Sequence, residues 1–115
     1  MDDKVAARKA LLEQELDRYV QILKTEEDPD KVIVFGSLAT GQVHEWSDID
    51  LVVVKQTTLP YLERLCKTQS LLRPQVGTDI LYYTPDEFET LCLQRPFFQE
   101  EIIDKGTVVY ERRSE

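Results

Sequence analysis

With 115 residues, the chain has room for one domain with its own core, and we expect residues 1–115 to fold as a single domain. Its 42% hydrophobic and 31% charged residues are typical of a globular protein and not of a disordered chain. The formal net charge of -8 argues against a long DNA or RNA partner, because nucleic-acid affinity comes mostly from clustered Lys and Arg.

Cysteine and histidine are scarce. Two cysteines outside any CxxC pair and one histidine are too few ligands for a structural zinc site. The N-terminus has no apolar signal core, and no apolar run approaches the ~20 residues that cross a bilayer. We therefore expect a cytoplasmic protein with free thiols and no membrane contact.

The first third of the chain predicts a helix, a strand and a helical turn. Over about 3–25, apolar residues recur at helical spacing, namely Val5, Leu12, Leu16, Tyr19, Val20 and Leu23. The stretch "EEDPD" ends this helix, and "KVIVF" (31–35) is a short apolar run typical of a buried strand. After Gly36, "SLAT" predicts a helical turn that begins at Ser37 and ends at Gly41.

The rest of the chain predicts a mixed sheet with helices packed on it. Strands are expected over 49–54, in "VGTDILYYT" and, as a closing edge strand, in "TVVYE". Helices are expected over 59–72, in "PDEFETLCLQ" and in "PFFQEEIIDKG"; the first should bury Leu62, Leu65, Cys66 and Leu72. This order indicates a small α/β or α+β fold, with a core spanning about 31–110.

Two aspartates stand at the start of the second strand. Side chains two residues apart in a strand point the same way, so Asp48 and Asp50 should converge. Because like charges repel, a cation such as Mg²⁺ is the natural partner for such a pair. Alternatively, both are solvated at the strand entrance, with Ser47 and Asp48 as turn residues.

The turn "GSLATG" follows the first strand directly. A Gly-Ser turn that opens a helix presents backbone N–H groups and a hydroxyl, so Gly36 and Ser37 are candidates for binding a phosphate. A plain N-cap role for Ser37 is the alternative. The turn is not a Walker loop, because Gln42 and Val43 stand where that motif needs Lys and Ser or Thr.

Asp79 is a lone carboxylate within the apolar third strand. If this strand neighbours the second, Asp79 reaches the same site and completes a triad with Asp48 and Asp50. If not, it is a turn or edge aspartate beside Gly77 and Thr78.

The loop before the second strand holds the sole histidine and the sole tryptophan. A hydrolase triad of Ser37, His44 and Asp48 is rejected, because no GxSxG elbow exists. Trp46 is interpreted as a packing anchor, with stacking on a nucleotide base as the alternative.

Taken together, Gly36-Ser37, the stretch Ser47-Asp48-Ile49-Asp50-Leu51 and the later Asp79 resemble the DNA polymerase beta-like nucleotidyltransferase superfamily. The chain is similar to its minimal prokaryotic members, and "TPDEFETLC" and "EEIIDKGTVVYE" resemble the closing elements of that group. The resemblance covers nearly all of the chain from Lys31 onward.

This resemblance implies a nucleotidyltransferase fold, Mg²⁺ as cofactor and ATP as substrate. Asp48, Asp50 and Asp79 would be the catalytic, metal-binding residues, and Gly36 and Ser37 would cradle the outer phosphates. It also implies a helical partner toxin that supplies the acceptor hydroxyl, with this chain as its antitoxin, transferring AMP to the partner. A homo-oligomer is compatible with the same resemblance.

The chain departs from the family pattern at one turn. Minimal members often carry basic residues beside the Gly-Ser, whereas Leu38 and Thr40 occupy those places here. Because Arg and Lys usually clamp transferring phosphoryl groups, the alternative function is a noncatalytic nucleotide-binding or antitoxin module that acts by covering its partner.

Overall fold

The computed structural model describes residues 3–113 and shows a mixed sheet of four strands with helices on both faces. The elements follow the chain in this order: α1 Asp3–Glu26, β1 Lys31–Phe35, α2 Ser37–Thr40, β2 Ile49–Val54, α3 Tyr61–Leu72, β3 Thr78–Tyr83, α4 Pro85–Gln94, a π-type helix α5 Phe98–Asp104, and β4 Thr107–Glu111. The predicted mixed α/β fold is confirmed.

The strand order in the sheet is β3-β2-β1-β4. β1 runs antiparallel to β2 and β4, whereas β2 and β3 are parallel, with Asp50 directly beside Asp79. The α3 helix is the crossover that parallel neighbours require. Consequently the end of β1 and the starts of β2 and β3 meet at one edge of the sheet.

Each face of the sheet buries its own apolar cluster, as alternating side chains dictate. On one face, α1 and α3 cover residues such as Val32, Leu51 and Val53. On the other face, Ile102 of α5 and Phe88 of α4 pack on residues that include Ile33, Val52 and Val54. Asp50 and Asp79 alternate with Leu51 and Ile80, so they belong to the second face, at its end.

The buried stripe of α1 fixes that helix on the sheet. Leu12, Glu15, Tyr19 and Leu23 are buried at spacings of three and four. Tyr19 shares a hydrogen bond of 2.8 Å with the Thr78 hydroxyl, one residue before Asp79. Glu15 accepts from the guanidinium of Arg18 and from the Gln75 backbone, which lowers the pKa of Glu15 to about 2.

The predicted buried face of α3 is partly wrong. Leu62 is 73% exposed and Cys66 is exposed, whereas Arg64, Thr68 and Leu72 are the buried residues. These three are spaced by four along the helix, and Leu62 lies on the opposite side from Arg64. The helix begins at Tyr61, after Pro60.

Within residues 3–113, no helix is long and apolar enough to cross a membrane.

Candidate active site at the aspartate edge

The three predicted aspartates lie at the edge where β2 and β3 begin, here called the aspartate edge (Asp48, Asp50 and Asp79). Asp50 and Asp79 are neighbours across the parallel strands, and the Asp79 carboxyl is close enough to raise the pKa of Asp50. Asp48 comes just before β2 and is half exposed. The structure therefore brings Asp50 and Asp79 together as a pair, with Asp48 beside them and more open to solvent.

The Asp50 carboxyl is difficult to ionise in its surroundings. Burial raises the pKa of Asp50 to about 6, and the neighbouring carboxyl groups of Asp79 and Asp48 act in the same direction. A charged Asp50 is thus disfavoured by its surroundings. A divalent cation would reverse this, because it supplies the positive charge that the carboxyl pair lacks.

Two glycines make room for these carboxyl groups. A Cβ atom at Gly36 would overlap Oδ2 of Asp50, and one at Gly77 would overlap Oδ1 of Asp48. Gly36 also has φ 74° and ψ -155°, a backbone conformation that is essentially restricted to glycine. The sequence identified Gly36 as a phosphate-binding candidate, but its contact with Asp50 was not foreseen.

The turn after Gly36 forms the four-residue helix α2, as predicted. The N–H groups of Ala39 and Thr40 both donate to the Gly36 carbonyl, and Gly41 ends the helix with φ 80°. Among residues 3–113, the Ser37 hydroxyl has no hydrogen-bond partner. Ser37 is therefore not a side-chain N-cap here, and its hydroxyl can contact a ligand at this edge.

In the loop before β2, the predicted packing role of Trp46 is wrong. Trp46 is 76% exposed, so it is not a packing anchor, and stacking on a base remains its alternative role. The hydrogen bonds of His44 stay within its own loop: its Nδ1 accepts from the Trp46 backbone N–H, and its backbone N–H donates to the Ser47 hydroxyl. These bonds fix the loop and orient the Ser47 carbonyl.

That carbonyl accepts a hydrogen bond from a residue that the sequence analysis missed. Arg8 of α1 donates from Nε to the Ser47 carbonyl at 2.8 Å, and its Nη2 lies 3.6 Å from Oδ1 of Asp48. A signal was present in the sequence, because Arg8 continues the buried stripe of Leu12, Glu15 and Tyr19 at helical spacing. A long basic side chain on such a stripe has its head near an edge of the core.

The aspartate edge can hold a metal ion only together with other ligands. Among residues 3–113, no three Asp, Glu, His or Cys side chains are arranged so that they could hold a metal by themselves. Mg²⁺ does not require this, because it is usually bound by one or two carboxylates together with substrate phosphates. The paired carboxyls of Asp50 and Asp79, with Asp48 beside them, fit a Mg²⁺ that arrives with a nucleotide.

A separate cavity does not belong to this edge. It has a volume of about 460 Å³ and lies at the far end of β3 from Asp79, lined by Tyr83, Asp86, Glu87, Thr90 and Leu91. The candidate site is instead an open edge of the sheet.

A four-stranded mixed sheet with a Gly-Ser turn and a strand-edge aspartate pair defines the class of nucleotidyltransferases. Residues 18–115 match the family described as Polymerase beta, Nucleotidyltransferase, and the chain belongs to this family. A relative from Methanocaldococcus jannaschii, named "Putative protein adenylyltransferase", is 31% identical over 80 residues, which are 70% of this chain and 77% of the relative.

Two solved structures share the fold. One, described as a "putative nucleotidyltransferase" from Sulfolobus solfataricus, has a TM-score of 0.71 at 14% identity and covers 97% of this chain and 91% of its own. The other is a toxin-antitoxin with AMP-PNP, with a TM-score of 0.53 at 21% identity, over 84% of this chain and 73% of its own.

Proposed function

We propose that this protein transfers AMP from ATP to a hydroxyl group on a partner protein, in a reaction that depends on Mg²⁺. The observation that carries this proposal is the carboxyl pair of Asp50 and Asp79. It lies beside the Gly36-Ser37 turn and has no ion-pair partner among residues 3–113. Membership of the nucleotidyltransferase family supports the reaction class.

In this proposal, each residue at the aspartate edge has a distinct task. Asp48, Asp50 and Asp79 would hold Mg²⁺, which would neutralise phosphate charge and make the acceptor hydroxyl easier to deprotonate. Ser37 donates its hydroxyl to an outer phosphate, and the absence of a side chain at Gly36 lets the Asp50 carboxyl lie against the same turn. Asp79 is exposed on the edge strand β3 and therefore faces the incoming acceptor.

The bond changes follow from this arrangement. The acceptor oxygen passes its proton to the Asp79 carboxylate and attacks the α-phosphorus, while the bond from the α-phosphorus to the bridging oxygen breaks and pyrophosphate leaves. The protein contributes mainly position and charge, because it holds the phosphates and the acceptor in one place. Little else is needed from the chain itself.

The choice of a protein acceptor is supported by the comparisons. The archaeal relative is named as a protein adenylyltransferase, and one fold neighbour is a toxin-antitoxin structure with AMP-PNP. We therefore propose that the acceptor is a toxin and that this chain acts as its antitoxin. The net charge of -8 makes a nucleic-acid acceptor unfavourable.

The test is transfer to the candidate partner. The protein is incubated with Mg²⁺, ATP labelled in the α-phosphate and the product of the neighbouring gene, and both proteins are then analysed by mass spectrometry. We expect the mass of one AMP group on the partner and none on this chain. Omitting Mg²⁺ or the partner should abolish labelling.

Matched variants decide whether the aspartate edge is responsible. Asp50→Asn and Asp79→Asn should abolish transfer, whereas Glu63→Gln, which removes an exposed acid on α3, should leave it unchanged. Tight binding of the partner with no modification would contradict the proposed reaction. That result would favour the noncatalytic module, which Leu38 and Thr40 in the Gly36–Gly41 turn make the second candidate.

A further inference from the structure

The turn that should hold the outer phosphates carries no positive charge of its own. Between Gly36 and Gly41 the side chains are those of Ser37, Leu38, Ala39 and Thr40. The helix α2 has only four residues, so its dipole is a weak substitute for a cation. A triphosphate bound here would need a cationic side chain from another part of the chain.

Arg8 is the basic residue that the fold brings to this edge. Among residues 3–113, the ion pair of Arg8 with Asp48 is the sole ion pair made by the three aspartates. The guanidinium is held by its Nε, which donates to the Ser47 carbonyl, and its Nη2 lies beside Asp48. The charge of Arg8 is therefore held at the aspartate edge.

Asp48 is only a weak partner for the positive charge of Arg8. The Nη2 atom lies 3.6 Å from Oδ1, outside normal hydrogen-bond distance, and the Asp48 side chain is half exposed. The Arg8 side chain is 22% exposed, so it is mostly enclosed but still open to a ligand. A guanidinium in this position can bind phosphate oxygens with the donors that Asp48 does not use.

The helix that carries Arg8 is firmly placed. Tyr19 bonds to Thr78 at the start of β3, and Arg18 donates to the carbonyl groups of Leu72 and Arg73 at the end of α3. Arg8 therefore reaches the aspartate edge from an anchored element rather than from a free terminus. It also precedes residues 18–115, the segment that matches the family.

We propose that Arg8 binds the outer phosphates of the nucleotide and so supplies the cation that the Gly36–Gly41 turn lacks. This inference rests on the proposed function, since it assumes that a nucleoside triphosphate occupies the aspartate edge. It assigns a substrate-binding residue that the family match does not include. The ligand chemistry is a polyphosphate with bound Mg²⁺.

The experiment compares two nucleotides that differ in their outer phosphates. Calorimetry measures the binding of AMP-PNP and of AMP, each with Mg²⁺, to the wild-type protein and to Arg8→Gln, which keeps an amide donor near Ser47 but removes the charge. We expect Arg8→Gln to weaken AMP-PNP binding by about tenfold or more. AMP binding should change by less than about twofold, because AMP has no outer phosphates.

Two further variants keep the test sharp. Lys9→Ala removes one positive charge from the neighbouring, exposed position of α1 and should leave the affinity for AMP-PNP unchanged. Arg8→Lys restores the charge and should recover part of the lost affinity. Circular dichroism on each variant verifies the fold, and Arg8→Lys provides the comparison if Arg8→Gln does not fold.

Several outcomes would overturn the assignment. These are equal AMP-PNP affinity in Arg8→Gln and Lys9→Ala, equal weakening of AMP and AMP-PNP, tighter AMP-PNP binding without Arg8, or no binding by the wild-type protein. A different result would contradict the proposed function but not the role of Arg8. In that case the wild-type protein would bind AMP-PNP in an Arg8-dependent manner but transfer no AMP.

Discussion

Charged side chains gather at both ends of the strands β2 and β3, and the two ends are built in opposite ways. At the aspartate edge, three acidic residues face one basic residue, Arg8. At the far end lies a second group, here called the Arg64 cluster, which consists of Glu27, Lys55, Arg64, Lys67 and Glu87. This cluster contains three basic and two acidic residues.

In the Arg64 cluster, every charge has a partner. Lys55 and Lys67 lie 3.0 and 3.6 Å from the buried Glu27 carboxylate, and Arg64 lies 2.7 Å from Glu87. Arg64 also donates to the carbonyl groups of Leu59 and Tyr82. The hydrogen bond from Arg64 lowers the pKa of Glu87, whereas the surroundings of Asp50 raise its pKa.

The contrast shows which end is built for structure and which for binding. A satisfied cluster stabilises the ionised forms of its members and has no need of a ligand. An unbalanced cluster costs stability until a cation binds there. The same strands thus carry a stabilising charge network at one end and the proposed binding site at the other, and substitutions should separate the two roles.

The largest effect on stability is expected at the Arg64 cluster. Arg64→Ala removes a buried guanidinium and leaves Glu87 and two carbonyl groups without their donor, so we expect a loss of about 3 kcal/mol in the free energy of unfolding. Urea denaturation measures this. Lys105→Ala, at an exposed ion pair, is the control and should leave the free energy of unfolding nearly unchanged. An equally small loss for Arg64→Ala would contradict the structural role.

A smaller loss of stability, joined to a loss of binding, is expected at Gly36. Gly36→Ala places a Cβ atom against Oδ2 of Asp50 in a backbone conformation that alanine avoids, at a cost of about 2 kcal/mol. It should also weaken the Mg²⁺-dependent binding of AMP-PNP, because Asp50 must move. Denaturation and calorimetry measure the two effects.

Gly41→Ala is the matched control for this prediction. Gly41 also has a positive φ of 80°, but a Cβ atom there meets nothing within 4 Å. We expect a cost of about 1 kcal/mol from the backbone alone and normal nucleotide binding. If both alanine variants bind nucleotide equally well, the space at Gly36 is not needed for the site.

The smallest expected effect on stability is a gain, caused by removing the charge of Asp50. The pKa of Asp50 is about 6 in the folded protein, whereas an ordinary carboxyl has a pKa of 3.8. Between these two pH values the folded state keeps a proton on Asp50 that the unfolded state has lost. Stability therefore falls as pH rises from about 4 to about 6, and the penalty is complete above pH 6. Asp50→Asn should remove it and gain about 1 kcal/mol at pH 7, since partial exposure screens the full shift.

Denaturation at several pH values tests this prediction. The gain from Asp50→Asn should be near zero at pH 4 and should reach its full value at pH 7. Asp17→Asn, at an exposed position of α1, should show no such dependence. A variant that is less stable than wild type at pH 7 would show that Asp50 supports the fold.

The sequence predicted the elements more completely than their contacts. Periodicity located α1, short apolar runs located β1 and β2, and the Pro and acidic residues at 85–87 located the start of α4, where Thr84 and Glu87 form a capping box. Hydrophobic periodicity predicted the buried face of α3 only in part, because it cannot identify a charged residue such as Arg64 as buried. The burial of Arg64 depends on Glu87, 23 positions away.

The candidate site shows the same limit. Asp48, Asp50, Asp79, Gly36 and Ser37 could be proposed from their order, but only the parallel register places Asp50 beside Asp79. Arg8 was missed because its partners lie about 40 positions along the chain, at Ser47 and Asp48. Local patterns identify residue types, whereas pairing across the sheet decides which of them meet.

The helix α1 has a practical consequence for dividing this protein. The family match begins at residue 18, in the middle of a 24-residue helix about 36 Å long. A fragment cut at that boundary would lack Leu12 and Glu15, which are 0% and 6% exposed, and would expose the sheet face beneath them. The boundary of shared ancestry and the boundary of the folding unit therefore differ by roughly four turns of helix, and expression fragments should retain the whole of α1.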